Sequence, residues 1–450
     1  MDKKTIGSLP SVAIIIGSVL GTGIFFAPSM VAKFSTHLGV VAALWGLGAL
    51  LCLLGADIYG RLGELLPEGG GQYVYLKKGH GRGVAAVYGW LSLLVLCPTM
   101  IAGMCLYLAS HLSYFDPNIS TISVKLGALI SAAILTILNY RGIRAAGKIQ
   151  TTLVLFQILT ILAMVLGLIF ISSRPTLSPL QQMNQWPEFN GLHFGLLAFA
   201  AILWSFEGFN TLTFVTDEVK KGKKRIRCCL FAGTFVIFAL YLVINVCAIL
   251  FVPPDLIAET PNIAVLLNEM SFGAVGKNIT LLLTVIGLLT TGHAAVLIGP
   301  RITAKLSEDG FLFRRYGRLN RIHTSPNNAL SLQLFITSAF ILAGSFESLV
   351  TMFVVVNWFF YLLVAMSLLK VLPDEETHFK IKASVYTFSS LILIFIGAQM
   401  YQNPELSAVG IGLVCILMLA ANSLVRRSKS GKWASPFKPL VDYAKRINLL

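Results

Sequence analysis

Apolar residues run along the chain in long blocks that short polar segments separate. A helix needs about 20 mainly apolar residues to cross a bilayer. The pattern predicts such helices at 10–34, 39–65, 83–111, 122–139, 147–171, 193–216, 228–251, 275–305, 328–344, 347–370, 382–400 and 405–425. We therefore predict an all-α polytopic membrane protein with twelve transmembrane helices.

The first apolar block is interrupted in its middle. Gly21 and Gly23, both poor helix formers, flank Thr22. In lipid a helix opens only where protein or a water-filled cavity can satisfy the freed backbone groups. Free amides at the N-terminus of a half-helix are suited to bind an anion. Small residues at this spacing also serve close helix packing, so this block alone leaves both interpretations open.

A second interruption lies in the sixth block, where Glu207 and Gly208 occur together in mid-span. An ionisable residue inside the membrane is costly and is a candidate for function. The two interruptions fall in corresponding places if spans 1–5 and 6–10 are inverted repeats. Paired interruptions in corresponding helices indicate a transport site near the membrane midplane. The pairing therefore favours the site interpretation of the first interruption over packing.

Composition supports the membrane assignment and excludes several other classes. The chain is 56% hydrophobic and 12% charged, with a mean hydropathy of +0.78, whereas soluble domains carry roughly 25% charged residues. Its net charge of +15 comes from short clusters between apolar blocks, so no basic domain is available to bind nucleic acid. We find no nucleophile–base set, metal-ligand cluster or nucleotide-binding loop. We therefore expect no enzyme, catalytic residue, metal or cofactor, and we expect the cysteines to be free thiols.

The basic residues also predict the orientation. If the N-terminus is cytoplasmic and the spans alternate, the cytoplasmic side receives all but four of the 35 lysines and arginines. The exceptions are Lys33, Lys125, Arg174 and Lys277. Such a bias is the one that the positive-inside rule predicts, and one missed or invented span would destroy it. We therefore expect a multi-pass protein of the cell (inner) membrane with both termini in the cytoplasm.

Several motifs resemble those of one transporter superfamily. Residues 16–25, IGSVLGTGIF, resemble the start of amino acid–polyamine–organocation (APC) transporters, and residues 67–76, PEGGGQYVYL, resemble that superfamily's P-x-G-G-x-Y-x-Y element. Residues 307–310, SEDG, are similar to its ending of span eight. With CPT at 97–99 and FVTDEV at 214–219, the chain is similar to the L-type amino acid transporters and their bacterial serine/threonine exchanger relatives.

The resemblance, which runs from about residue 8 to about residue 330, implies a LeuT-type fold with a 5+5 inverted repeat. One transporter domain, 1–427, would consist of a first half at 1–172, a second half at 192–371 and two peripheral helices at 381–427, followed by a basic tail at 428–450. It also implies secondary transport of amino acids by alternating access.

The same resemblance implies how the substrate is held. Its carboxylate would bind amides of the first interruption, and its ammonium would bind the carbonyls of Val19, Trp204 and Glu207. The Trp204 ring would close over the substrate as the outer gate. The alternative is that Trp204 is an ordinary core or interface residue. The candidate substrate-binding residues are Val19, Leu20, Gly21, Thr22, Gly23, Ile24, Trp204, Ser205, Glu207, Gly208, Asn210 and His293.

Some of these residues have open alternatives. The Asn210 amide can tie down the unwound backbone or bind substrate. His293 either contacts the substrate or a proton, or is a packing partner within span eight. Asp57 and Arg61 lie one helical turn apart, and we predict that they pair with each other.

The chain departs from the family pattern at three places. Glu207 replaces a small or apolar residue. It either faces the cavity, where it would attract a cation or titrate, or turns away to bond a neighbouring helix. Gln157 stands where many relatives have a lysine that substitutes for sodium, and a neutral amide cannot supply that charge, which favours exchange or facilitated flow. The external loop 113–121 has no cysteine, whereas the resemblance to animal L-type transporters implies one there that binds a glycoprotein heavy chain. We therefore expect no disulfide-linked heavy chain, and we expect a stand-alone bacterial protein.

Together these features predict an exchanger of neutral or broad-range amino acids, whose partners are a small-molecule amino acid and the lipid bilayer. Two alternatives remain at this point. The chain could exchange cationic amino acids or polyamines, as Glu207 suggests. It could also be a membrane amino acid sensor that does not transport.

Overall fold

The helices of the computed structural model follow the predicted apolar blocks. The structure describes residues 7–21, 23–114, 116, 118–140, 146–170, 191–219, 223–260, 262–318, 326–372 and 379–402. Each of the first eleven predicted spans falls on one helix or on an interrupted pair. The twelfth predicted span, 405–425, and the tail from 428 lie outside the described residues.

The helices are numbered in chain order. They are α1 Ser8–Val19, α2 Gly23–Phe34, α3 Leu38–Leu65, α4 Gln72–His80, α5 Arg82–Tyr114, α6 Thr121–Tyr140, α7 Ala146–Phe170, α8 Gly191–Ser205, α9 Lys223–Phe251, α10 Pro254–Glu259, α11 Ile263–Glu308, α12 Arg314–Gly317, α13 Asn327–Ala343, α14 Phe346–Val371 and α15 Phe379–Gln402. A 3-10 segment, Thr211–Glu218, continues from the interruption after α8.

Membrane crossing follows from the length and apolar character of these helices. Seven of the described helices are long and apolar enough to cross a bilayer, and α1 and α2 together make an eighth. Shorter apolar helices lie within α7, in α8 and in α13. The described part of the chain is therefore that of a multi-pass membrane protein.

Two helices depart from regular geometry where the sequence explains it. In α5 the turn Ser92–Leu96 is π-helical and is followed by Cys97 and Pro98. Proline lacks an N–H and cannot complete the preceding turn, and a wider turn accommodates this. In α11 the backbone leaves helical geometry at Gly273, where φ is +59°, and the span predicted to begin at 275 is preceded by a further helical segment that starts at Ile263. Its start is capped by Asn262, whose side chain accepts the Val265 N–H.

The two halves of the interrupted first span pack against different partners. α1 packs on α7, α9 and the 3-10 segment, whereas α2 packs on α8 and α10. α3 packs along α9, and α14 packs on α4, α5 and α15. Both parts of the sixth span are therefore beside the first span, which brings the two interruptions to the centre of the bundle.

At one end of the bundle, Asp57 joins α3 to α9. Its carboxylate pairs with Arg61, 2.9 Å away on the same helix, and also accepts a hydrogen bond from Arg227 at the start of α9. The predicted pairing of Asp57 with Arg61 is confirmed. Close packing beside the pair requires Gly60, because a Cβ there would collide with the backbone of Arg227.

At the same end, Asp309 joins α4 to the end of α11. Its carboxylate accepts hydrogen bonds from the Tyr73 hydroxyl at 2.8 Å and the Lys77 ammonium at 2.6 Å, and Arg82 donates to its backbone carbonyl at 2.9 Å. Burial, and then the Asp309 carboxylate, raise the pKa of the Tyr73 hydroxyl, so the hydroxyl stays protonated and donates. The two motifs at 67–76 and 307–310 thus meet in space.

A histidine ties α4 to α14. His80 Nε2 lies 2.9 Å from the Leu363 carbonyl oxygen, and Nδ1 lies 3.2 Å from the Lys370 ammonium. This pattern fits a neutral imidazole that donates from Nε2 and accepts at Nδ1. Burial, helped by the Lys370 charge, lowers the pKa of His80 below its usual value.

Candidate substrate site

The first interruption opens the backbone where the glycines predict it. α1 ends at Val19, α2 begins at Gly23, and the two helices bend by 46°. Leu20 leaves the helical conformation with ψ at +66°, and the Gly21 N–H turns back to the Val19 carbonyl at 2.7 Å. Thr22 lies outside the described residues. The N-terminal amides of α2 thus face the interruption rather than a preceding helical turn.

A threonine on α11 satisfies a carbonyl that this opening frees. The Thr291 hydroxyl lies 3.0 Å from the Gly17 carbonyl oxygen and 3.4 Å from that of Leu20. Gly17 would accept from the Gly21 N–H in an unbroken helix, but that amide now bonds Val19. Thr291 therefore closes the end of α1, and Gly21 packs tightly against its side chain.

The second interruption is a turn that only glycine fits at its centre. After Ser205 the backbone turns, with the Glu207 N–H donating to the Trp204 carbonyl and the Thr211 N–H donating to the Gly208 carbonyl, both at 3.0 Å. Gly208 has φ at +103°, a conformation that residues with a Cβ rarely adopt. A Cβ there would also lie 2.9 Å from the Ser18 carbonyl oxygen of α1.

The two interruptions touch each other, and one tyrosine joins them. The Tyr241 hydroxyl on α9 lies 2.7 Å from the Ser205 carbonyl oxygen and 3.1 Å from that of Val19. Gly23 packs so closely on the Ser205 backbone that a Cβ would collide with it. The structure thus brings Val19, Gly23 and Ser205 together around a fully buried hydroxyl.

Two of the three carbonyls proposed for an ammonium already have partners. Val19 accepts from the Gly21 N–H and faces the Tyr241 hydroxyl, and Trp204 accepts from the Glu207 N–H. A carbonyl oxygen has two lone pairs, so an incoming ammonium would share or replace these donors.

Glu207 bonds a neighbouring helix and is still partly accessible. Its carboxylate accepts hydrogen bonds from the Asn357 amide at 3.0 Å and from the Tyr361 hydroxyl at 2.7 Å, both on α14. Every other residue from 198 to 214 is buried. The Glu207 side chain therefore bonds a neighbouring helix, which was one of the two alternatives. It also remains partly exposed at the second interruption.

Trp204 meets the same face of α14. Its ring, which is 4% exposed, lies edge to face with Phe353 at a centroid distance of 5.2 Å. Phe353, Asn357 and Tyr361 are spaced four residues apart, which places them on one helix face. This face contacts both the proposed gate and Glu207.

Gln157 lies beside the first interruption. It lines a cleft with Leu20, Ile24 and Thr284, and its amide packs so tightly on α11 that a Cβ on Gly287 would collide with it. The cleft therefore holds a neutral side chain where the family pattern has a lysine.

The remaining candidates are placed as follows. Asn210 is buried, and its backbone carbonyl accepts the N–H and the hydroxyl of Thr213 at 2.9 and 2.7 Å, which starts the 3-10 segment. His293 lies in α11, and its side chain is outside the described part of the chain. No group of three His, Cys, Asp or Glu residues in the described ranges could hold a metal ion.

Four partners of the site were missed by the sequence reasoning: Tyr241, Thr291, Asn357 and Tyr361. Each is a polar residue in an otherwise apolar span, and that is the only signal the sequence holds for them. Nothing local indicates which interruption each would reach, because the contacts join residues far apart in the chain.

Comparison with known proteins gives a family match over most of the chain. The amino acid permease family model matches residues 6–430. The human b(0,+)-type amino acid transporter 1 is 23% identical over 404 residues, which cover 88% of this chain and 82% of the relative. The human cystine/glutamate transporter is 24% identical over 428 residues, with 92% and 83% covered.

A bacterial relative is similar over a comparable length. The serine/threonine exchanger SteT of Bacillus subtilis is 23% identical over 366 residues, which cover 80% of this chain and 82% of the relative. The match to the family model spans nearly the whole chain and includes both interrupted helices. The chain therefore belongs to the amino acid permease family of the APC superfamily, and it is a membrane transporter of amino acids.

Proposed function

We propose that this protein exchanges neutral or broad-range amino acids across the membrane by alternating access. The observation that carries the proposal is the contact between the two interrupted spans, which the Tyr241 hydroxyl bridges at the ends of α1 and α8. Interrupted helices that meet in the bundle are the usual construction of a midplane transport site. The serine/threonine exchanger among the relatives supports exchange as the mode.

The overall architecture in this proposal is a LeuT-type fold of twelve helices, with halves at 1–172 and 192–371, peripheral helices at 381–427 and a basic tail at 428–450. The packing supports it, because the first part of span one lies against the second part of span six and vice versa. Antiparallel pairing of this kind is what an inverted repeat requires.

Within the site, the substrate carboxylate binds the amides at the N-terminus of α2, at Gly21, Thr22 and Gly23. The partial positive charge of that helix end favours an anion. The ammonium binds carbonyls of Val19, Trp204 and Glu207, where helices end and carbonyl oxygens concentrate. The Trp204 ring closes the site from outside.

The neutral side chain of Gln157 supports exchange over proton or sodium coupling. It lies in the cleft beside Leu20, and an amide carries no charge to exchange with a driving ion. Transport would then be driven by the substrate gradients themselves.

For location, we propose the cell membrane of a bacterium with both termini cytoplasmic. The Asp57 and Asp309 networks lie where α3 and α11 end, and their arginines and lysines would face the cytoplasm by the positive-inside rule. No cysteine stands at 113–121 to anchor a heavy chain.

A second candidate, exchange of cationic amino acids or polyamines, is favoured by one observation. The Glu207 carboxylate makes no ion pair within the described ranges, although it lies at the proposed site. No observation favours the sensor alternative, which counterflow would exclude.

The testing experiment is counterflow and competition in proteoliposomes with the purified full-length protein. Vesicles loaded with unlabelled serine should accumulate labelled serine transiently, and the other amino acids and several polyamines are then tested as competitors. Binding without counterflow would overturn transport, and uptake that requires a proton or sodium gradient would overturn exchange.

A further inference from the structure

A buried histidine lies at the end of α5 that is farthest from the Asp309 network. His111 is 4% exposed, and the Tyr107 and Tyr114 rings pack on its imidazole at centroid distances of 4.8 and 5.8 Å. Its Nδ1 lies 2.8 Å from the Tyr107 carbonyl oxygen, and its Nε2 lies 3.1 Å from the side-chain nitrogen of Asn262. These two partners determine where the imidazole carries its hydrogen.

The carbonyl fixes the tautomer of His111. A carbonyl oxygen only accepts, so Nδ1 carries the hydrogen and donates it to Tyr107. In a neutral imidazole the other nitrogen then has a lone pair and accepts. Nε2 therefore accepts a hydrogen bond from the Asn262 amide as long as His111 is neutral.

The orientation of the Asn262 amide is fixed as well. Its oxygen accepts the Val265 N–H at 3.3 Å and caps α11, and its nitrogen also lies 3.3 Å from the Thr284 hydroxyl. Thr284 donates its own hydrogen to the Thr280 carbonyl at 2.9 Å, so it accepts from Asn262. Each hydrogen bond in this buried chain therefore has a single direction.

A second proton on His111 would break this order. The imidazolium carries an N–H at Nε2 as well, so two donors, the imidazolium and the Asn262 amide, would face each other. They become compatible only if Asn262 turns its oxygen toward the histidine, and that oxygen then leaves the Val265 N–H. Protonation of His111 and the side-chain cap of α11 therefore exclude each other.

The charged groups of the elements that pack on this end of α5 bind one another or backbone groups. They are Lys277 and Glu269 of α11, Lys125 of α6 and Asp116 of the loop after α5. Lys277 also lies over the Tyr114 ring, 6.0 Å from its centroid, and α13 carries no charged residue. In the described part of the chain His111 makes no ion pair, so no fixed opposite charge holds an imidazolium there.

The Asn262 contact holds a segment that reaches the first interrupted span. We call α10 together with the part of α11 from Ile263 to Phe272 the outer segment. It ends at Gly273, where the backbone leaves helical geometry, and its α10 part packs on α2. Since α2 begins at the first interruption, the outer segment connects the end of α5 with the second half of the first span.

We propose that His111 and Asn262 form a proton-sensitive latch, which holds the outer segment while His111 is neutral and releases it when His111 binds a proton. Histidine is the side chain that ordinarily changes its charge between about pH 5 and pH 8. In the proposed orientation the latch faces the outside, so external acidification loosens the outer segment. This inference goes beyond the proposed exchange function and does not depend on which amino acid is transported.

The test is hydrogen–deuterium exchange of the backbone amides at 262–272 in the full-length protein, at pH 7.5 and at about pH 5. Each variant is compared with the wild type at the same pH, which removes the intrinsic effect of pH on amide exchange. His111→Gln does not titrate and keeps an acceptor for Asn262, whereas Asn262→Asp replaces the amide by a carboxylate that only accepts. His193→Gln is the matched control, since His193 is an exposed histidine at the start of α8, beside the end of α2.

At about pH 5 we expect the wild type to exchange these amides at least about fivefold faster than His111→Gln, the factor that the loss of one net hydrogen bond gives. At pH 7.5 the two should agree within about twofold. Asn262→Asp should show the opposite pH dependence, because its carboxylate accepts from the imidazolium and repels the lone pair of the neutral ring. His193→Gln should follow the wild type at both pH values.

Two results would overturn the latch. One is a ratio of wild-type to His111→Gln rates that is the same at both pH values, and the other is an Asn262→Asp segment that loosens on acidification as the wild type does. Cooperative melting shows that each variant is folded, and the Asn262→Asp comparison decides the matter if His111→Gln does not fold. Failure of the proposed function looks different, because serine would then not exchange in proteoliposomes while the amides at 262–272 would still respond to pH.

Discussion

The Tyr241 hydroxyl lies 2.7 Å from the carbonyl oxygen of Ser205, the last residue of α8. It is also within 3.1 Å of the Val19 carbonyl, so one side chain spans the ends of two interrupted helices. Tyr241→Phe removes the hydroxyl and keeps the ring against Trp45 and Phe206. A buried carbonyl without a donor costs about 1–3 kcal/mol.

We therefore expect Tyr241→Phe to lower the melting temperature in detergent and to slow serine exchange at least about tenfold. Melting and exchange are measured on the same preparation. Tyr386→Phe is the control, because that ring is 59% exposed on α15. Equal behaviour of the two variants would show that the link between the interruptions is dispensable.

Gly208→Ala should abolish exchange and reduce the yield of folded protein. The alanine would have to adopt a φ of +103°, and its Cβ would press on the Ser18 carbonyl oxygen. Gly46→Ala in α3 is the control, since nothing lies within 4 Å of a Cβ there and alanine favours a helix by up to about 1 kcal/mol. Exchange by Gly208→Ala at the rate of Gly46→Ala would contradict the assigned turn.

Thr291→Val should raise the KM for serine about tenfold, because the Gly17 carbonyl at the end of α1 loses its donor. Valine keeps the shape of the side chain, so packing against Gly21 is retained. Thr234→Val provides the comparison, since that buried hydroxyl bonds only Leu230 of its own helix. The prediction fails if the KM values of the two variants agree within about twofold.

Acidification should weaken the contact of α4 with α14. His80 has a pKa below its usual value of about 6.5 because burial and the Lys370 charge disfavour the cation. The unfolded chain takes up the proton first as the pH falls through about 6.5, so the stability that neutral His80 contributes is present above that pH and is lost below it.

His80→Gln keeps a donor for the Leu363 carbonyl but does not titrate. We expect its melting temperature to fall less than that of the wild type between pH 7.5 and pH 5.5. The variant and the wild type are melted in parallel across that range. Identical slopes would show that His80 does not carry the pH dependence.

The helices and the interruptions could be predicted from local sequence, and their partners could not. Gly21 and Gly23 mark the first opening because glycine weakens a helix wherever it stands, and Gly208 marks the second for the same reason. Thr291 and Tyr361 resemble ordinary polar residues of a membrane helix, since hydroxyls there commonly bond their own helix. Their roles depend on which helices pack together, and that is set by contacts across hundreds of residues.

The departures in α5 and α11 have a related cause. Pro98 indicates a disturbance without specifying a π-helical turn, and Gly273 permits a kink without requiring one. The helical segment of α11 before Gly273 was missed because residues such as Asn268 and Glu269 interrupt the apolar pattern. Length and hydropathy therefore locate a span better than they locate its ends.

The helix α14 connects the proposed gate with the loop helix α4. Between Phe353, which touches the Trp204 ring, and Leu363, whose carbonyl binds His80, the helix rises about 15 Å as one rigid rod. A tilt about the Glu207 hydrogen bonds would move its two ends in opposite directions. A displacement of the Trp204 ring would then also move the Leu363 carbonyl, and with it the contact of α14 with the loop helix α4.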